Sequence, residues 1–466
     1  MDIQKATRIT PSERQFAWQQ LEFYGFLHFG MNTMTDSEWG EGRESPKTFH
    51  PTALDVDSWI ETLKESEMRA VILTCKHHDG FCLWPSDYTD YSVKNSPLGN
   101  TQGDIVKLVS ESCKKYGLKF GVYLSPWDRN AKSYGKGKEY DDYYINQLTE
   151  LLTNYGEIFC VWLDGACGEG ENGKVQEYDW ERYYETVRRL QPNAVLNICG
   201  PDVRWCGNEA GSVRKAEWSV VPKRLTEAEI VSSLSQKEDD GKFSRIITST
   251  DEDLGSRSQI ADEEELVWYP CEVDTSIRIG WFYHSDEDRS VRTSTELFEI
   301  YKKAVGGNSS LLLNVPPTPE GKLHPNDVAS LKGLGEKIRK LRENVVENFH
   351  VVASSGDFVK GSIWQAEKED TLPTLEIFFE NEEEICGVIL QENIRDSQRI
   401  ELFEIYGKVG ESWKFLGSAE TVGHKKIFEH EPVKTKEMNI IFRQSREYPT
   451  LASLNFMKTE EYANED

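Results

Sequence analysis

An aspartate at the end of an apolar run is the residue in this sequence with the clearest chemical potential. The run FCVWL at residues 159–163 leads directly into Asp164, and Gly165 then breaks it. An apolar run of this length before a turn residue predicts a strand that is buried on both faces. In a parallel barrel, the C-terminal ends of such strands carry the active-site residues. We therefore expect Asp164 to be a catalytic nucleophile.

Histidines follow several other runs of the same kind. Four of the nine histidines fall at the C-terminal ends of predicted strands, which a barrel gathers on one face. A metal site is the alternative interpretation, but no HExxH motif is present and adjacent histidines point to opposite faces of a strand. We expect no metal and no cofactor, and a pocket shared with Asp164, Trp127 and Trp281. The four histidines are His28, His77, His78 and His284.

A second carboxyl group is needed if the chemistry is glycoside hydrolysis, because one acid attacks and the other transfers protons. Glu209, in the segment WCGNEAG, is the first candidate because glycines flank it and Trp205 could raise its pKa by excluding water. Glu217 and then Glu38 are the alternatives, and any of these acids could instead be a solvated surface residue. A retaining pair would place the two carboxyl groups about 5–5.5 Å apart.

Composition limits the possible partners. The chain has 466 residues, with 80 acidic and 54 basic side chains and a net charge of −26. Such a surface repels phosphate backbones and anionic lipids, so we expect neither nucleic acid binding nor membrane insertion. No apolar window reaches a membrane-spanning length, and the N-terminus lacks the apolar core of a signal peptide. The localisation stays open: cytoplasmic, or periplasmic or secreted if a signal peptide has been removed.

Alternation of predicted strands and helices organises residues 1–346. About eight strand–helix units predict a distorted (β/α)8 barrel, similar to a TIM barrel, and no GxGxxG or Walker loop points to a nucleotide-binding sheet. The stretch 201–265 departs from the alternation, so irregularity is expected there. The predicted strands are 23–30, 69–80, 118–128, 159–163, 194–200, 266–273, 276–284 and 311–317.

The character of the sequence changes after residue 346. Residues 347–466 contain short, partly alternating runs separated by turn residues, which predicts an all-β sandwich of about seven or eight strands. This domain could bind glycan, or it could only support the barrel.

Several sequence blocks together resemble glycoside hydrolase family 29, the α-L-fucosidases. The blocks are FLHFGMNT, SEWG, AVILTCKHHDGFCLWPS, GVYLSPWD and VWLDGA, within residues 20–320. The resemblance implies a distorted barrel followed by a β-sandwich, a retaining mechanism and Asp164 as nucleophile. His28-Phe29-Gly30 departs from the more common Ile-His-Trp-Gly ending of the first block. The residues implied to bind fucose are His28, Glu38, Trp39, His77, His78, Tyr123, Trp127 and Trp281.

The position of the acid/base varies within that family. The segments GPDVRWCGNEAG and EWSVVP, within residues 200–222, resemble the subgroup that acts on α-1,3/1,4-linked fucose of Lewis-type glycans. The Glu of GNEAG is the acid/base there, which supports Glu209. The implied function is a retaining exo-α-L-fucosidase that acts on fucosylated oligosaccharides or glycoconjugates through a covalent fucosyl-enzyme intermediate. The alternatives are a broad-specificity α-L-fucosidase, a non-catalytic glycan-binding barrel, or a barrel hydrolase for another hexose.

Overall fold

The computed structural model describes residues 3–99, 103–228, 231, 245 and 253–459. It contains an eight-stranded parallel barrel followed by an antiparallel β-sandwich, which confirms the predicted fold class. The first ten strands are β1 (Phe23–Leu27), β2 (Ala70–Lys76), β3 (Lys119–Leu124), β4 (Ile158–Leu163), β5 (Val195–Ile198), β6 (Arg204–Trp205), β7 (Val220–Pro222), β8 (Leu266–Trp268), β9 (Cys271–Ser276) and β10 (Ser309–Asn314).

Eight of these strands form the barrel in the order β1-β2-β3-β4-β5-β6-β9-β10, and β10 pairs in parallel with β1. β6 has only two residues, so its junction with β5 is a single parallel bridge between Asn197 and Val203. β7 and β8 form a separate antiparallel pair. The barrel strands β1, β2, β4, β5, β9 and β10 are buried along their whole length, as continuous apolar runs predict for strands covered on both faces.

Helices cover the outside of the barrel. They are α1 (Glu13–Gln19), α2 (Met31–Thr35), α3 (Val56–Glu65), α4 (Ile105–Tyr116), α5 (Lys138–Asn154), α6 (Trp180–Leu190), α7 (Arg257–Ile260), α8 (Ser294–Val305) and α9 (Pro325–Glu343). Asp55, Asp104 and Asp179 each accept a backbone N–H at the start of α3, α4 and α6. These caps satisfy amides that have no partner within the helix, which fixes where each crossover helix begins. No helix in the described part of the chain is long and apolar enough to cross a membrane.

Two of the predicted strands are wrong. The run 266–273 divides into β8 and the first half of β9, with Tyr269 and Pro270 between them. The run 276–284 is a loop after its first residue, so His284 does not end a strand. Three amides in the middle of this loop bond to carboxylates rather than to a neighbouring strand: Gly280 N–H donates to Glu287 at 3.0 Å, and the N–H groups of Trp281 and Phe282 donate to Glu38. The irregular stretch 201–265 contains β6, β7 and α7, and most of 229–252 lies outside the described residues.

The sandwich has eight strands, within the predicted range. They are β11 (Phe349–Ala353), β12 (Trp364–Gln365), β13 (Thr374–Gln391), β14 (Ile400–Val409), β15 (Ser412–Glu420), β16 (Lys426–Ser445), β17 (Thr450–Leu451) and β18 (Ser453–Lys458). Six of them form an antiparallel sheet in which the long strands β13 and β16 are central, while β12 and β17 pair separately. The sandwich has its own apolar core, distinct from that of the barrel.

The sandwich also supports the barrel segment that follows Glu209. The Gln398 side chain accepts a 2.7 Å hydrogen bond from Ser219 N–H and donates to the Glu217 carbonyl at 3.1 Å. The Arg446 guanidinium lies 3.7 Å from the centre of the Trp218 ring. Buried polar contacts of this kind fix the path of a loop because each unpaired partner would cost free energy.

Candidate active site

A cavity opens at the C-terminal end of the barrel strands. Its volume, including the open space at its mouth, is about 590 Å³. Strand alternation directs side chains into it from β1, β3, β4 and β9. Its lining residues are Phe26, His28, Trp39, His77, His78, Tyr123, Trp162, Asp164, Ala166, Ile198, Trp205, Glu209, Asp274 and Trp281.

Asp164 stands directly after β4 and is held by two donors. The Tyr123 hydroxyl donates to Oδ2 at 2.9 Å, and the Ala166 N–H donates to Oδ1 at 2.8 Å. The two bonds fix the orientation of the carboxyl group. The His78 Nε2 atom lies 3.8 Å from Oδ2, beyond hydrogen-bonding distance. Asp164 is therefore oriented within the cavity and has a partly exposed side chain.

Three histidines in the cavity are electrically neutral at neutral pH. Burial lowers the pKa of His28 to about 3 and that of His78 to about 4, and it holds the pKa of His77 well below its usual value. A buried imidazolium would lose its hydration without gaining a sufficient counter-charge. Each neutral ring offers one donor and one acceptor.

The partners of these histidines determine which nitrogen carries the proton. The Asn314 amide N–H groups donate elsewhere, so its Oδ1 accepts from His28 Nδ1 at 2.8 Å. The Ser125 hydroxyl donates to a carbonyl, so its oxygen accepts from His78 Nδ1 at 2.7 Å. His77 Nδ1 instead accepts from Asn32 at 3.2 Å. The remaining nitrogens are two acceptors, on His28 and His78, and one donor, on His77, which suits recognition of hydroxyl groups.

Glu209 is held as a protonated acid. Burial and the nearby Asp274 raise its pKa well above the usual value, and Asp164 adds to this effect; the 2.9 Å bond from Trp281 Nε1 to Oε2 opposes it. The loop around Glu209 turns at Gly207 and Gly211, whose φ angles of 101° and 80° favour glycine. The structure thus places Glu209, with its raised pKa, in the same cavity as Asp164.

Glu217, the alternative acid, has a different environment. It does not line the cavity, and its carboxylate lies 2.5 Å from Arg204 and 3.2 Å from Arg214. Burial alone would raise its pKa, but the two guanidinium groups outweigh burial and lower it. A carboxylate held ionised between two arginines is suited to fixing the loop and poorly suited to donating a proton.

Glu38 and Trp127 lie behind the cavity wall, whereas the other predicted site residues line it. The Glu38 carboxylate accepts from the backbone N–H groups of Trp281 and Phe282 at 3.0 and 2.9 Å. A Cβ atom at Gly280 would lie 2.4 Å from Glu38 Oε1, so only glycine fits there. The Trp127 ring packs 4.9 Å from His78. Glu38 thus positions the loop that carries Trp281.

His284 completes this anchor. It lies 2.8 Å from Glu38 and 2.7 Å from Asp36, and the hydrogen bond with Glu38 is the main reason that its pKa rises to about 9. At neutral pH it is a cation that bridges two carboxylates. The prediction that this histidine shares the cavity with Asp164 was wrong, because it does not line the cavity and its contacts place it in the support of the Trp281 loop.

Replacing Glu38 by Gln is expected to lower kcat/KM by about 10- to 100-fold, because an amide can accept through only one oxygen and its NH₂ would face backbone N–H groups. Steady-state kinetics of fucoside hydrolysis measures this effect. Glu41→Gln, at an exposed position of the same segment, is the control and should retain activity. A Glu38→Gln enzyme no weaker than the control would exclude the anchoring role.

The sequence prediction missed Asp274, Trp162 and Phe26 as cavity residues. Glu272 and Asp274 alternate along β9, which places both inside the barrel. Glu272 accepts from Trp162 Nε1 and Asn197 Nδ2, each at 2.7 Å, deeper in the barrel. Alternation within CEVDTS was the available signal, but the predicted strand boundaries divided that segment. Among the described residues, no cluster of His, Cys, Asp or Glu has the arrangement of a metal site.

Comparison with known proteins shows the family to which the chain is similar. The model of the alpha-L-fucosidase family matches residues 7–343. Alpha-L-fucosidase 1 of Arabidopsis thaliana is 37% identical over 95% of this chain and 86% of its own length. A glycoside hydrolase 29 family member from an unknown rumen bacterium has a TM-score of 0.79 at 34% identity, covering 98% of this chain and 78% of its own.

A third relative is a Ruminococcus gnavus GH29 fucosidase in complex with fucose. It has a TM-score of 0.81 at 27% identity and covers 97% of this chain and 95% of its own. The family match spans the barrel, including the strands that supply the cavity. The chain therefore belongs to the alpha-L-fucosidase family, glycoside hydrolase family 29, and is a glycoside hydrolase.

Proposed function

We propose that this enzyme is a retaining exo-α-L-fucosidase in which Asp164 is the nucleophile and Glu209 the acid/base. The observation that carries the proposal is the opposite environment of two carboxyl groups in one cavity. Donors stabilise the Asp164 anion, while burial and neighbouring negative charge keep the proton on Glu209. A carboxyl group oriented by two donors and a second carboxyl group that retains its proton supply the two roles that glycoside hydrolysis requires.

In the first step, an Asp164 carboxylate oxygen bonds to the anomeric carbon of the fucosyl group. The bond from that carbon to the glycosidic oxygen breaks, and its electron pair stays on the leaving oxygen. Glu209 gives its proton to this oxygen as the bond breaks, so that an alcohol leaves rather than an alkoxide. The products of the step are the free aglycone and an ester between fucose and Asp164.

In the second step, water replaces Asp164 at the anomeric carbon. Formation of the ester removes the negative charge of Asp164, which contributes to the raised pKa of Glu209. The pKa of Glu209 therefore falls in the intermediate, so the carboxylate can take a proton from the attacking water. Bond formation by the water oxygen releases ionised Asp164 and protonated Glu209, and fucose leaves with its original anomeric configuration.

Recognition of fucose follows from the composition of the cavity wall. The nitrogens of His28, His77 and His78 provide two acceptors and one donor for vicinal hydroxyls. The Trp281 indole can cover the apolar face and the methyl group, with its N–H committed to Glu209. A sugar that lacks one of the bonded hydroxyls would leave a buried polar group unpaired, which is a strong basis for discrimination. The fucose complex of the R. gnavus relative supports this assignment.

We also propose a preference for α-1,3/1,4-linked fucose of Lewis-type glycans. The loop that presents Glu209, together with the EWSVVP segment behind it, supports this finer assignment. A product assay that compares α-1,2-, α-1,3- and α-1,4-fucosylated oligosaccharides tests it. We expect release of fucose from the α-1,3 and α-1,4 linkages at least about tenfold faster, by kcat/KM, than from α-1,2.

The same assay separates the alternatives. Equal rates on all linkages would indicate a broad-specificity enzyme, and no release would indicate a binding protein. Weak inhibition by deoxyfuconojirimycin would indicate a different hexose. Retention is measured by NMR of the first-formed sugar, which should be the α-anomer; initial formation of the β-anomer would establish inversion.

A further inference from the structure

The cavity contains a third carboxyl group that the two proposed steps leave unused. Asp274 lies on the inward face of β9, is 1% exposed and lines the same cavity as Glu209. Its Oδ1 accepts a 2.9 Å hydrogen bond from Trp205 Nε1. No ion pair with a cation accompanies it in the described part of the chain. Burial of an acid without a counter-charge costs free energy, so this placement calls for a functional reason.

Backbone pairing fixes how Asp274 relates to Glu209. Ala210 and Thr275 form an antiparallel bridge. Residues that flank a bridged pair project to the face opposite the pair itself, so Glu209 and Asp274 project to the same face. They are diagonal cross-strand neighbours, a relation in which long side chains come within reach of each other.

We propose that Asp274 is a positioning residue for the acid/base: its negative charge keeps the proton on Glu209 until the glycosidic oxygen takes it. This inference rests on the proposed role of Glu209. Ionisation of one buried carboxyl group opposes ionisation of a neighbouring one, so a proton is retained within the pair. The Trp205 N–H stabilises the charge on Asp274. The Trp281 N–H occupies Oε2 of Glu209, which leaves the proton on Oε1.

The surroundings of this pair raise the pKa of both carboxyl groups. Burial is the largest cause of the raised pKa of Glu209, Asp274 is the next, and Asp164 and Glu38 add to them. Burial, and after it Glu272 on β9, raise the pKa of Asp274 as well, and the hydrogen bond from Trp205 opposes this rise. The cavity histidines are neutral at neutral pH, and no lysine or arginine lines the cavity among the described residues. Among the residues that line the cavity, no cation is therefore present that would stabilise both carboxylates and release the proton of the pair.

The test is the pH dependence of Asp274→Asn. Glu209 must be protonated in the first step, so activity falls as the pH rises through its pKa. Removal of the Asp274 charge lowers that pKa, and the basic limb of kcat/KM should move to lower pH by about one unit or more. On an unactivated fucoside this lowers kcat/KM at least about tenfold on the alkaline side. An aryl fucoside whose activated leaving group needs no proton should lose less than about threefold.

Glu272→Gln is the matched control, because Glu272 is on the same strand and face and equally buried, but its carboxylate is held deeper in the barrel. The basic limb of the kcat/KM pH profile of Glu272→Gln should move less than half as far as that of Asp274→Asn. Trp205→Phe removes the donor to Asp274 and should move the limb in the same direction as Asp274→Asn by a smaller amount. Binding of deoxyfuconojirimycin shows whether Asp274→Asn is folded. If Asp274→Asn does not bind the inhibitor, Trp205→Phe tests the proposal in its place.

A double variant separates this inference from the assignment of the acid. In a Glu209→Gln background, Asp274→Asn should cause no further change in leaving-group dependence. An unmoved basic limb in Asp274→Asn and Trp205→Phe, or an equal loss on both substrates, would overturn the proposal for Asp274 alone. If Glu209→Gln itself showed no leaving-group dependence, the acid assignment would be the part that fails.

Discussion

Asp164→Ala is expected to lower kcat/KM for every fucoside by about 10⁴-fold or more, because no other group can bond to the anomeric carbon from that side. This corresponds to about 5.5 kcal/mol of lost transition-state stabilisation. Deoxyfuconojirimycin should still bind, since the histidines and Trp281 remain. Initial rates and inhibitor titration provide the two measurements. Glu169→Ala, at an exposed position of the same loop, should keep its activity.

A covalent label adds direct evidence about the same residue. A 2-fluoro fucoside with an activated leaving group should esterify one carboxylate, and mass spectrometry of the digested protein should locate the label on Asp164. Azide added to Asp164→Gly should attack from the vacated side and give β-fucosyl azide. A label on another residue, or substantial activity of Asp164→Ala, would remove Asp164 from the nucleophile role.

Glu209→Gly is expected to cause the second largest loss of activity. The size of this loss should depend on the leaving group of the substrate. Hydrolysis of unactivated oligosaccharides should fall about 10²- to 10⁴-fold, because the leaving oxygen receives no proton. Activated aryl fucosides should accumulate the ester, because water lacks its general base. Azide needs no base, so it should restore turnover and give α-fucosyl azide, the configuration opposite to that obtained with Asp164→Gly. NMR of the azide product distinguishes the two residues.

Glu217→Gln is the control for Glu209. It leaves Arg204, whose side chain is 6% exposed, without its carboxylate partner. Loss of one partner of a buried ion pair should lower the free energy of unfolding by about 3–5 kcal/mol. Thermal or denaturant unfolding measures this loss, and azide should not restore activity to Glu217→Gly. Azide rescue at Glu217 but not at Glu209 would reverse the assignment of the acid.

Most of the barrel could be predicted from the sequence because parallel strands covered on both faces are continuous apolar runs. β2 and β4 are of this type, and the polar residues that follow them were correctly expected at one end of the barrel. β9 was divided at Asp274, which interrupts its apolar character, whereas Glu272 lay within the predicted strand 266–273. Their side chains point into the barrel interior, where tryptophan N–H groups bond them. A local apolarity pattern cannot record such partners.

In the loop 277–284, a segment without strand structure was predicted to be a strand. Its aromatic residues resemble a strand, but Trp281 lines the cavity and Phe282 packs against His28 and His77. Glu38 and Trp281 are 243 positions apart in the chain, so no local pattern could indicate their hydrogen bond. The sequence pattern also could not show that Glu217 pairs with two arginines, which the folded chain brings to its carboxylate.

The sequence by itself determined the barrel and sandwich, the site at the strand ends, and the identity of most side chains that meet in the cavity. These features follow from hydrophobic periodicity and from motifs that are continuous in the chain. The tertiary structure decided which nitrogens of the histidines carry protons, which carboxyl is ionised and which is protonated, and that Glu38 is an anchor. Those properties depend on burial and on charges brought together from distant segments, and folding alone creates both.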